Sequence, residues 1–517
     1  MLHRVDYNVT DQMPQHSVKR RILVGTGWLT AWRMLSRLLG FISILVLTQL
    51  LAPSDFGLVI LASSVAAATE ALSQVGVRDA LVRLRDDTVS HYDTAFTIQV
   101  ARGVITGGVI IALGSLSSDM FGEPRLQNVL YILGTLSILS GFENIGIVKL
   151  SRELRFGRQI YLQAAPRFIG FITTVSLAFW LRSYWALIWG LVLTRLLGVL
   201  ITYSIMPHMP RFSLQSWRYF AHFSFWSWAG SIALVVWTRS DPFLLSSVLG
   251  SALLGIYVVS NEVAILPVTE LIEPASGALY SGFALAHRTD GGRSGAALVV
   301  ATALSLIMMP FSAGISACSG YLVAALLNVQ WEAAQPTIAA TAFLCMFSPF
   351  SYISGAVLSA QGYVKRAFFC NAAAAATKII VVLAVRDTHS LPLIALANVG
   401  VVALEAVFFI QQIVHVGNPG FKDAAVTMAR ATLALLVTCA VLYLLPSTWG
   451  PIQIDRFSAI LIGSLIGILS FTVFFTCLAL LWFFAGRPSG AEAAMVDLAT
   501  KTWREFASYV LLKWRRV

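Results

Sequence analysis

Along the chain, apolar runs of roughly 20 residues alternate with short polar breaks, the run length a helix needs to cross a hydrocarbon layer about 30 Å thick. The pattern predicts about fourteen transmembrane helices, over 23–50, 56–77, 94–117, 126–148, 161–181, 184–206, 220–248, 251–280, 294–319, 336–360, 367–385, 391–414, 427–446 and 457–484. The runs are continuous and lack the ten-residue alternation of outer-membrane strands, so the expected fold class is an all-α polytopic membrane protein and not a β-barrel. Residues 1–22 are polar, and the run after them is longer than the apolar core of a secretory signal, with no clear small-residue cleavage site. It is therefore expected as a retained helix behind a short N-terminal tail.

Composition agrees with a membrane protein: 57% of the 517 residues are hydrophobic and 12% charged, a balance unsuited to a water-soluble chain of this length. A net charge of +11 would point to nucleic acid in a soluble protein, but here the placement of the cations matters more than their sum. With the spans above, and with Arg430 counted at the entry to its span, twenty-five cations fall on the side of the N-terminus and four on the other. Cytoplasmic loops carry the excess of Lys and Arg, so both termini are expected in the cytoplasm and the protein in a bacterial inner (plasma) membrane. No nucleic-acid partner is expected. The tail over 485–517 is basic, and from Ala491 onward Trp503, Phe506, Tyr509 and Trp514 alternate with Lys501, Arg504, Lys513, Arg515 and Arg516. That mixture suits an amphipathic helix on anionic membrane lipids.

An internal repeat emerges when the chain is slid by 198 residues: Leu51-Ala52-Pro53-Ser54-Asp55-Phe56-Gly57-Leu58 overlies Leu249-Gly250-Ser251-Ala252-Leu253-Leu254-Gly255-Ile256, and Ala80-Leu81 overlies Ala278-Leu279. The copies sit six helices apart, so the repeat is parallel and predicts two six-helix lobes, 23–206 and 220–414, with two further helices over 427–484 outside the scheme. A glycine at the far edge of each turn lets consecutive helices approach closely.

Charges inside spans cost roughly 2.5–3.5 kcal/mol each at mid-helix and mark candidate function. Thr26, Thr30, Arg33 and Arg37 recur at i, i+4, i+7 and i+11, one face of the first span,. Two guanidiniums a turn apart repel unless an anion lies near them, and a pyrophosphate satisfies both; pairing with an acid or snorkelling to the inner surface is the structural alternative. The seventh span repeats the theme with Ser224, Ser227, Ser231 and Thr238, then Arg239, Asp241 and Pro242. Asp241 is a local partner for Arg239, and Pro242 predicts a kink or a broken helix. Glu262, Thr269 and Glu273 share a face of the eighth span with Glu270 close by, an acidic stripe able to neutralise arginines or take up protons or sodium. Glu70, Glu143 and Glu405 are further acids within spans, and Arg102, Arg167, Arg195 and Lys378 are cations available for static pairing with such acids.

The five cysteines all lie in apolar runs with no CxxC, and no histidine stands at metal-ligand spacing, so neither a metal nor a cofactor is expected,. No GxxxxGK[ST], GxSxG or HExxH appears, and no connector is long enough for an extramembrane catalytic domain, so a carrier is expected and not an enzyme.

With these features together, the chain resembles the polysaccharide-export, Wzx-type flippases of the MOP superfamily, in particular the colanic-acid-like exopolysaccharide branch. The likeness rests on Gln49 to Leu58, on Gly76-Val77-Arg78-Asp79-Ala80-Leu81-Val82-Arg83, on Ser151-Arg152-Glu153-Leu154-Arg155-Phe156, on Gly255-Ile256-Tyr257, on Trp331, and on Leu358-Ser359-Ala360-Gln361-Gly362. It covers most of the chain from about residue 20 to 480. The resemblance implies a two-lobed, MATE/MOP-like alternating-access carrier. Its cargo would be a polyprenyl-pyrophosphate-linked oligosaccharide, moved from the cytoplasmic to the periplasmic leaflet for exopolysaccharide or O-antigen assembly. Polysaccharide polymerase and export machinery are the implied protein partners. Arg33, Arg37 and Arg239 are the positions the resemblance assigns to the pyrophosphate, with Thr26, Thr30, Ser231, Thr238, Asp241, Glu262, Glu270 and Glu273 as polar or coupling candidates in the cavity. A peptidoglycan-precursor flippase and a multidrug exporter of the same superfamily remain open as alternatives.

Overall fold

A computed structural model describes residues 15–73, 77, 81, 88–152, 156–206, 209–217, 220, 225–277, 279–280, 283, 295–415, 421–445, 454–497 and 500–501. Every regular element among them is helical and none is a strand, the expected outcome where no water is at hand to satisfy backbone N–H and C=O groups. The helices are α1 (Gln15–Leu50), α2 (Pro53–Leu72), α3 (Val89–Phe121), α4 (Arg125–Gly141), α5 (Val148–Arg152), α6 (Phe156–Leu181), α7 (Trp185–Ile205), α8 (Phe225–Ala264), α9 (Gly295–Ala317), α10 (Ser319–Leu326), α11 (Gln335–Thr341), α12 (Leu344–Ala360), α13 (Val364–Val385), α14 (Leu391–His415), α15 (Phe421–Leu444) and α16 (Arg456–Phe484).

Local chemistry sets several of these ends. Pro53 stands in the first turn of α2, where its missing N–H costs nothing,. Gly122 ends α3 in the left-handed region at φ 62° and returns its N–H to Ser118 O,. The Asp455 carboxylate accepts from Ser458 N at 3.0 Å and caps α16,.

Among the described residues, eleven helices are long and apolar enough to cross a membrane, or twelve if a bent pair, Val329–Thr341 with Leu344–Ala360, is one span. The count of fourteen expected from sequence is thus not reproduced, and the difference falls at three places. One is that bent pair, folded by 57°. Another is α4, whose 17 residues make a helix roughly 25 Å long. The last is α8, in which the runs expected over 220–248 and 251–280 follow one another across a kink at Gly250 (φ 72°, ψ 171°), the place between the two expected spans. The backbone stays helical through Pro242, so the kink expected at the proline lies eight residues further on, where a residue without Cβ tolerates positive φ,.

The chain divides into two units, Met1–Gly255 and Ile256–Val517. In the first, α3 and α4 form a tight hairpin, as do α6 and α7; α1 runs along α6, α2 lies on α4, and α4 on α7. Small residues make this possible: a Cβ on Gly103 would stand 2.8 Å from the Cα of Gly141 across the first hairpin,. The buried side chain of Asn144, just past α4, accepts from Gly146 N at 2.9 Å and donates to Met206 O at 3.1 Å, tying that turn to the end of α7.

In the second unit α9 is central, packed on α12, α15 and α16, with α13 and α14 as a neighbouring hairpin. Phe474, Leu442 and Leu306 are wholly or almost wholly buried in its core. Glu405 of α14 is buried with Lys378 of α13 and Ser351 of α12 beside it, so this carboxylate has the local cationic neighbour that intramembrane acids usually require,. At one end, Arg430 of α15 donates through Nε and Nη2 to Glu492 Oε1 at 3.0 and 2.7 Å, and Thr427 Oγ1 donates to Glu492 Oε2 at 2.9 Å. Residues 491–497 are helical, and Ala491 and Glu492 are buried against the unit. The tail expected from Ala491 onward as a surface helix thus begins with a segment docked on protein; residues 502–517, which hold its aromatic and basic pattern, lie outside the described residues.

Candidate functional site

The first unit encloses a cavity of about 710 Å³ walled by α1, α2, α6, α7 and the end of α4, within the roughly 300–1,000 Å³ range of small-molecule sites. Its α1 wall is the row Arg33, Ser36, Gly40 and Ser43, at intervals of three and four that place all four on one helix face. Its α6 wall includes Gln163, Arg167, Gly170 and Thr174, and α7 adds Gly190, Thr194 and Arg195. Leu162, Pro166, Phe171, Leu187 and Leu191 stand among them, so each helix brings polar groups into a partly apolar wall.

The α6 and α7 stripes are locked together by a reciprocal fit. Thr174 Oγ1 donates to Gly170 O at 2.8 Å and Thr194 Oγ1 to Gly190 O at 2.7 Å, so both hydroxyls are satisfied within their own helices. Each threonine then lies over the glycine of the other helix: a Cβ on Gly170 would overlap the Thr194 hydroxyl, and one on Gly190 the Thr174 hydroxyl. Small residues let the backbones close, and that contact fixes the rotation of α6 and α7, which in turn aims Arg167 and Arg195. On the α1 side, Arg167 Nη2 lies 3.7 Å from the position a Cβ on Gly40 would take.

The result is a cationic chamber. Arg33, Arg167 and Arg195 come from three different helices, all three are exposed, and Glu143, half-buried, is the acid among the described lining residues. Ser36, Ser43, Ser63, Ser140 and Gln163 add neutral hydrogen-bonding groups. Guanidinium groups attract anions, and phosphates best, through paired N–H donors. No group of three or more His, Cys, Asp or Glu able to hold a metal ion occurs among the described residues.

Sequence periodicity placed Arg33 and Arg37 on a common face, and the cavity separates them: Arg33 lines it, while half-buried Arg37 does not. The side chains of Thr26, Thr30 and Ser231 lie outside the described residues. Thr238 and Arg239 are exposed on α8 and line no part of this cavity, whereas Asp241 is buried. Arg239 and Asp241, two apart on the helix, point to different faces. The stripe of Glu262, Thr269 and Glu273 assumed one regular helix, but the α-helix ends at Ala264 and a π-turn spans Val268–Ile272. The wider turn shifts the register, leaving Glu262 and Glu273 exposed and Glu270 half-buried,. Arg167 and Arg195, taken from sequence as partners for acids, instead face the chamber with Arg33; their one sequence signal was the cost of an arginine inside a span.

At the far end of α2 a second polar cluster draws on three connections. Glu123 accepts from Arg125 Nε at 2.8 Å and Nη2 at 3.0 Å, and Ser251 Oγ donates to the same carboxylate at 3.0 Å. Asp55 lies 3.6 Å from the Arg125 guanidinium. The hydrogen bonds from Arg125, with that from Ser251, hold the Glu123 carboxyl below its ordinary value.

Similar proteins give the family and the fold. A family model described as polysaccharide biosynthesis protein matches residues 46–336. The succinoglycan biosynthesis transport protein ExoT of Rhizobium meliloti (strain 1021) is 23% identical over 59% of this chain and 63% of its own length, so less than two thirds of that relative is spanned. The lipopolysaccharide biosynthesis protein WzxC of Escherichia coli (strain K12) is 21% identical over 69% of this chain and 73% of its own. Among solved structures, the lipid II flippase MurJ in an inward closed conformation superposes with a TM-score of 0.65 at 16% identity, covering 89% of this chain and all of that one. An inward-facing multidrug resistance MATE family transporter of the MOP superfamily superposes with a TM-score of 0.56 at 15% identity, covering 74% of this chain and 95% of that one. The fold is thus that of the MOP transporters.

Proposed function

The chain belongs to the polysaccharide biosynthesis protein family, and from that premise we propose that it is a flippase for polyprenyl-pyrophosphate-linked oligosaccharide repeat units. It carries them from the cytoplasmic to the periplasmic leaflet of the inner membrane for exopolysaccharide or O-antigen assembly, as a carrier and not an enzyme. Its multi-span MOP fold and its transport relatives support the general class. The observation that carries the specific cargo is the convergence of Arg33, Arg167 and Arg195 on one cavity. A pyrophosphate presents adjacent groups of acceptor oxygens, and guanidiniums arriving from three directions satisfy them while Ser and Gln side chains meet sugar hydroxyls.

In this mechanism the head group enters from the cytoplasmic side, the arginines replace the water lost from the pyrophosphate, and a change of access exposes the site outward while the prenyl chain stays in lipid. Arg37 and Arg239 line no part of this cavity and stand outside the head group's resting site. A multidrug exporter of organic cations shares the fold but is disfavoured by a chamber with this excess of guanidinium. A peptidoglycan-precursor flippase shares both fold and head group, and differs only in the sugar it accepts.

The test is the triple variant R33A/R167A/R195A in a strain lacking the native gene. Polymer export is expected to cease while membrane insertion remains normal. Normal polymer yield from that variant overturns the assignment.

A further inference from the structure

Among the described lining residues of the chamber the acid is Glu143, and holding a pyrophosphate does not call for one. Its placement is nonetheless tightly set. Gln99 of α3 donates through Nε2 to Gly141 O at 3.1 Å and to Glu143 O at 3.0 Å, and Tyr203 Oη of α7 donates to Phe142 O at 2.8 Å. Asn144 N donates to Thr202 Oγ1 at 3.1 Å. Four consecutive residues are thus tied through their backbones to side chains of α3 and α7, in the stretch past α4 where helical partners run out. Gln99, which holds two of them, is itself buried. Such ordering costs conformational entropy, and here it fixes the backbone of an acid in the wall of a site that gathers guanidiniums.

Charge balance gives that carboxylate a use. Arg33, Arg167 and Arg195 set against Glu143 leave two net positive charges among the described lining residues. A pyrophosphate esterified at both ends, by a prenyl chain on one phosphate and a sugar on the other, has one ionised oxygen per phosphate and so two negative charges. With the prenyl ester alone, the terminal phosphate has a second ionisation at a pKa of about 6 and adds most of a further charge at neutral pH. The first ligand is matched by the chamber. The second brings surplus negative charge out of water, near a carboxylate and with no cation left to pair it.

We infer that Glu143 determines specificity: it makes the chamber select pyrophosphates esterified at both ends over those with an unesterified terminal phosphate, an inference that rests on the function proposed above. In this way the carrier accepts the sugar-loaded lipid and rejects the bare prenyl pyrophosphate that remains once a transferase has removed the oligosaccharide.

The experiment compares the full-length wild type in detergent with the variants E143Q, E143D and R167A. Two probes differ only in their end group: geranyl pyrophosphate, and its methyl ester capped at the terminal phosphate. Isothermal titration reads both dissociation constants. Wild type is expected to bind the methyl ester about tenfold more tightly, the order set by one unit charge acting over roughly 10 Å at an effective dielectric of about 20. E143Q is expected to bring the two constants within about twofold, by tightening the uncapped probe more than the ester. E143D keeps the charge and is expected to keep the preference, while R167A weakens both probes. Each preference is a ratio within one variant, so a partly unfolded sample lowers the number of sites and leaves the ratio unchanged. An undiminished preference in E143Q, or a wild type that does not prefer the ester, overturns the role of Glu143 and leaves the head-group reading standing. Failure of the wild type to bind either probe overturns the head-group reading, and the role of Glu143 with it.

Discussion

Gly57 and Gly255, 198 residues apart and equivalent in the internal repeat, lie against one another within the first unit. A Cβ built on either would come within 3.0 Å of the other's backbone nitrogen, and would overlap the carbonyl oxygen of Ser251 or Pro53 respectively. Pro53 and Ser251 are themselves equivalent in the repeat, so the contact is reciprocal, as a two-fold relation between two like turns requires. The obstacle to a side chain is backbone on both sides, which no rotamer change relieves. G57A and G255A are each expected to destabilise the protein by about 1–3 kcal/mol. Once the first substitution has forced the turns apart, the second meets less resistance, so the double variant should cost less than the sum of the two. Thermal unfolding of the detergent-solubilised protein reads this, and strict additivity would argue against a shared contact.

The three arginines of the cavity are expected to act as a set, with Arg37 outside it. R167A and R195A should each weaken inorganic pyrophosphate binding by about 10- to 100-fold, the range for one lost hydrogen-bonded charge, while R37A changes it less than threefold. Isothermal titration on purified protein separates the two classes. An R37A defect as large as that of R167A would return the site to the single-helix face read from sequence.

The Glu123 cluster gives the protein a defined acid sensitivity. The hydrogen bonds from Arg125, with that from Ser251, depress the Glu123 carboxyl below its ordinary value of 4.5. The unfolded chain therefore takes up this proton more readily than the folded one. Its stabilising contribution is complete above 4.5 and is lost as pH falls through the lower folded value. Melting temperatures measured from pH 6 down to pH 3 should fall less steeply for E123Q than for wild type. Parallel curves would mean the contact does not persist in solution.

Arg430 and Glu492 form a charge pair with side chains only 14% and 5% exposed. Removing one partner leaves the other buried without its counter-charge, so E492A is expected to cost about 3–5 kcal/mol, whereas R430M/E492L should recover much of that loss. Urea or thermal unfolding of the two variants decides between an ion pair that organises the C-terminal segment and a surface contact of little weight.

Much of the fold was legible in the residue pattern. Runs of apolar residues marked the spans because a hydrocarbon layer tolerates few other sequences of that length. The count was harder to read: the break at Gly250 falls between the runs over 220–248 and 251–280, but the 57° bend between Thr341 and Leu344 and the shortness of α4 leave no mark in a run of apolar letters. The acidic residues over 262–273 are a further case, since the π-turn over Val268–Ile272 changes the face that the residues after it take. At the site, Arg33 stood out by its spacing, while Arg167 and Arg195 carried only the general mark of charge within a span.

The sequence by itself determined that this chain lives in a membrane as a bundle of helices, and that α1 bears a polar stripe, because helix formation and burial in lipid depend on residues near one another in the chain. Tertiary structure alone decided what that stripe meets. Two residues a turn apart on α1 share a face, yet only one reaches the chamber, and its partners lie more than 130 positions away in the chain. Their meeting depends on how far each helix is rotated about its own axis. That rotation is set by close contacts such as Gly170 with Thr194 and Gly190 with Thr174, which no periodicity within a single helix encodes.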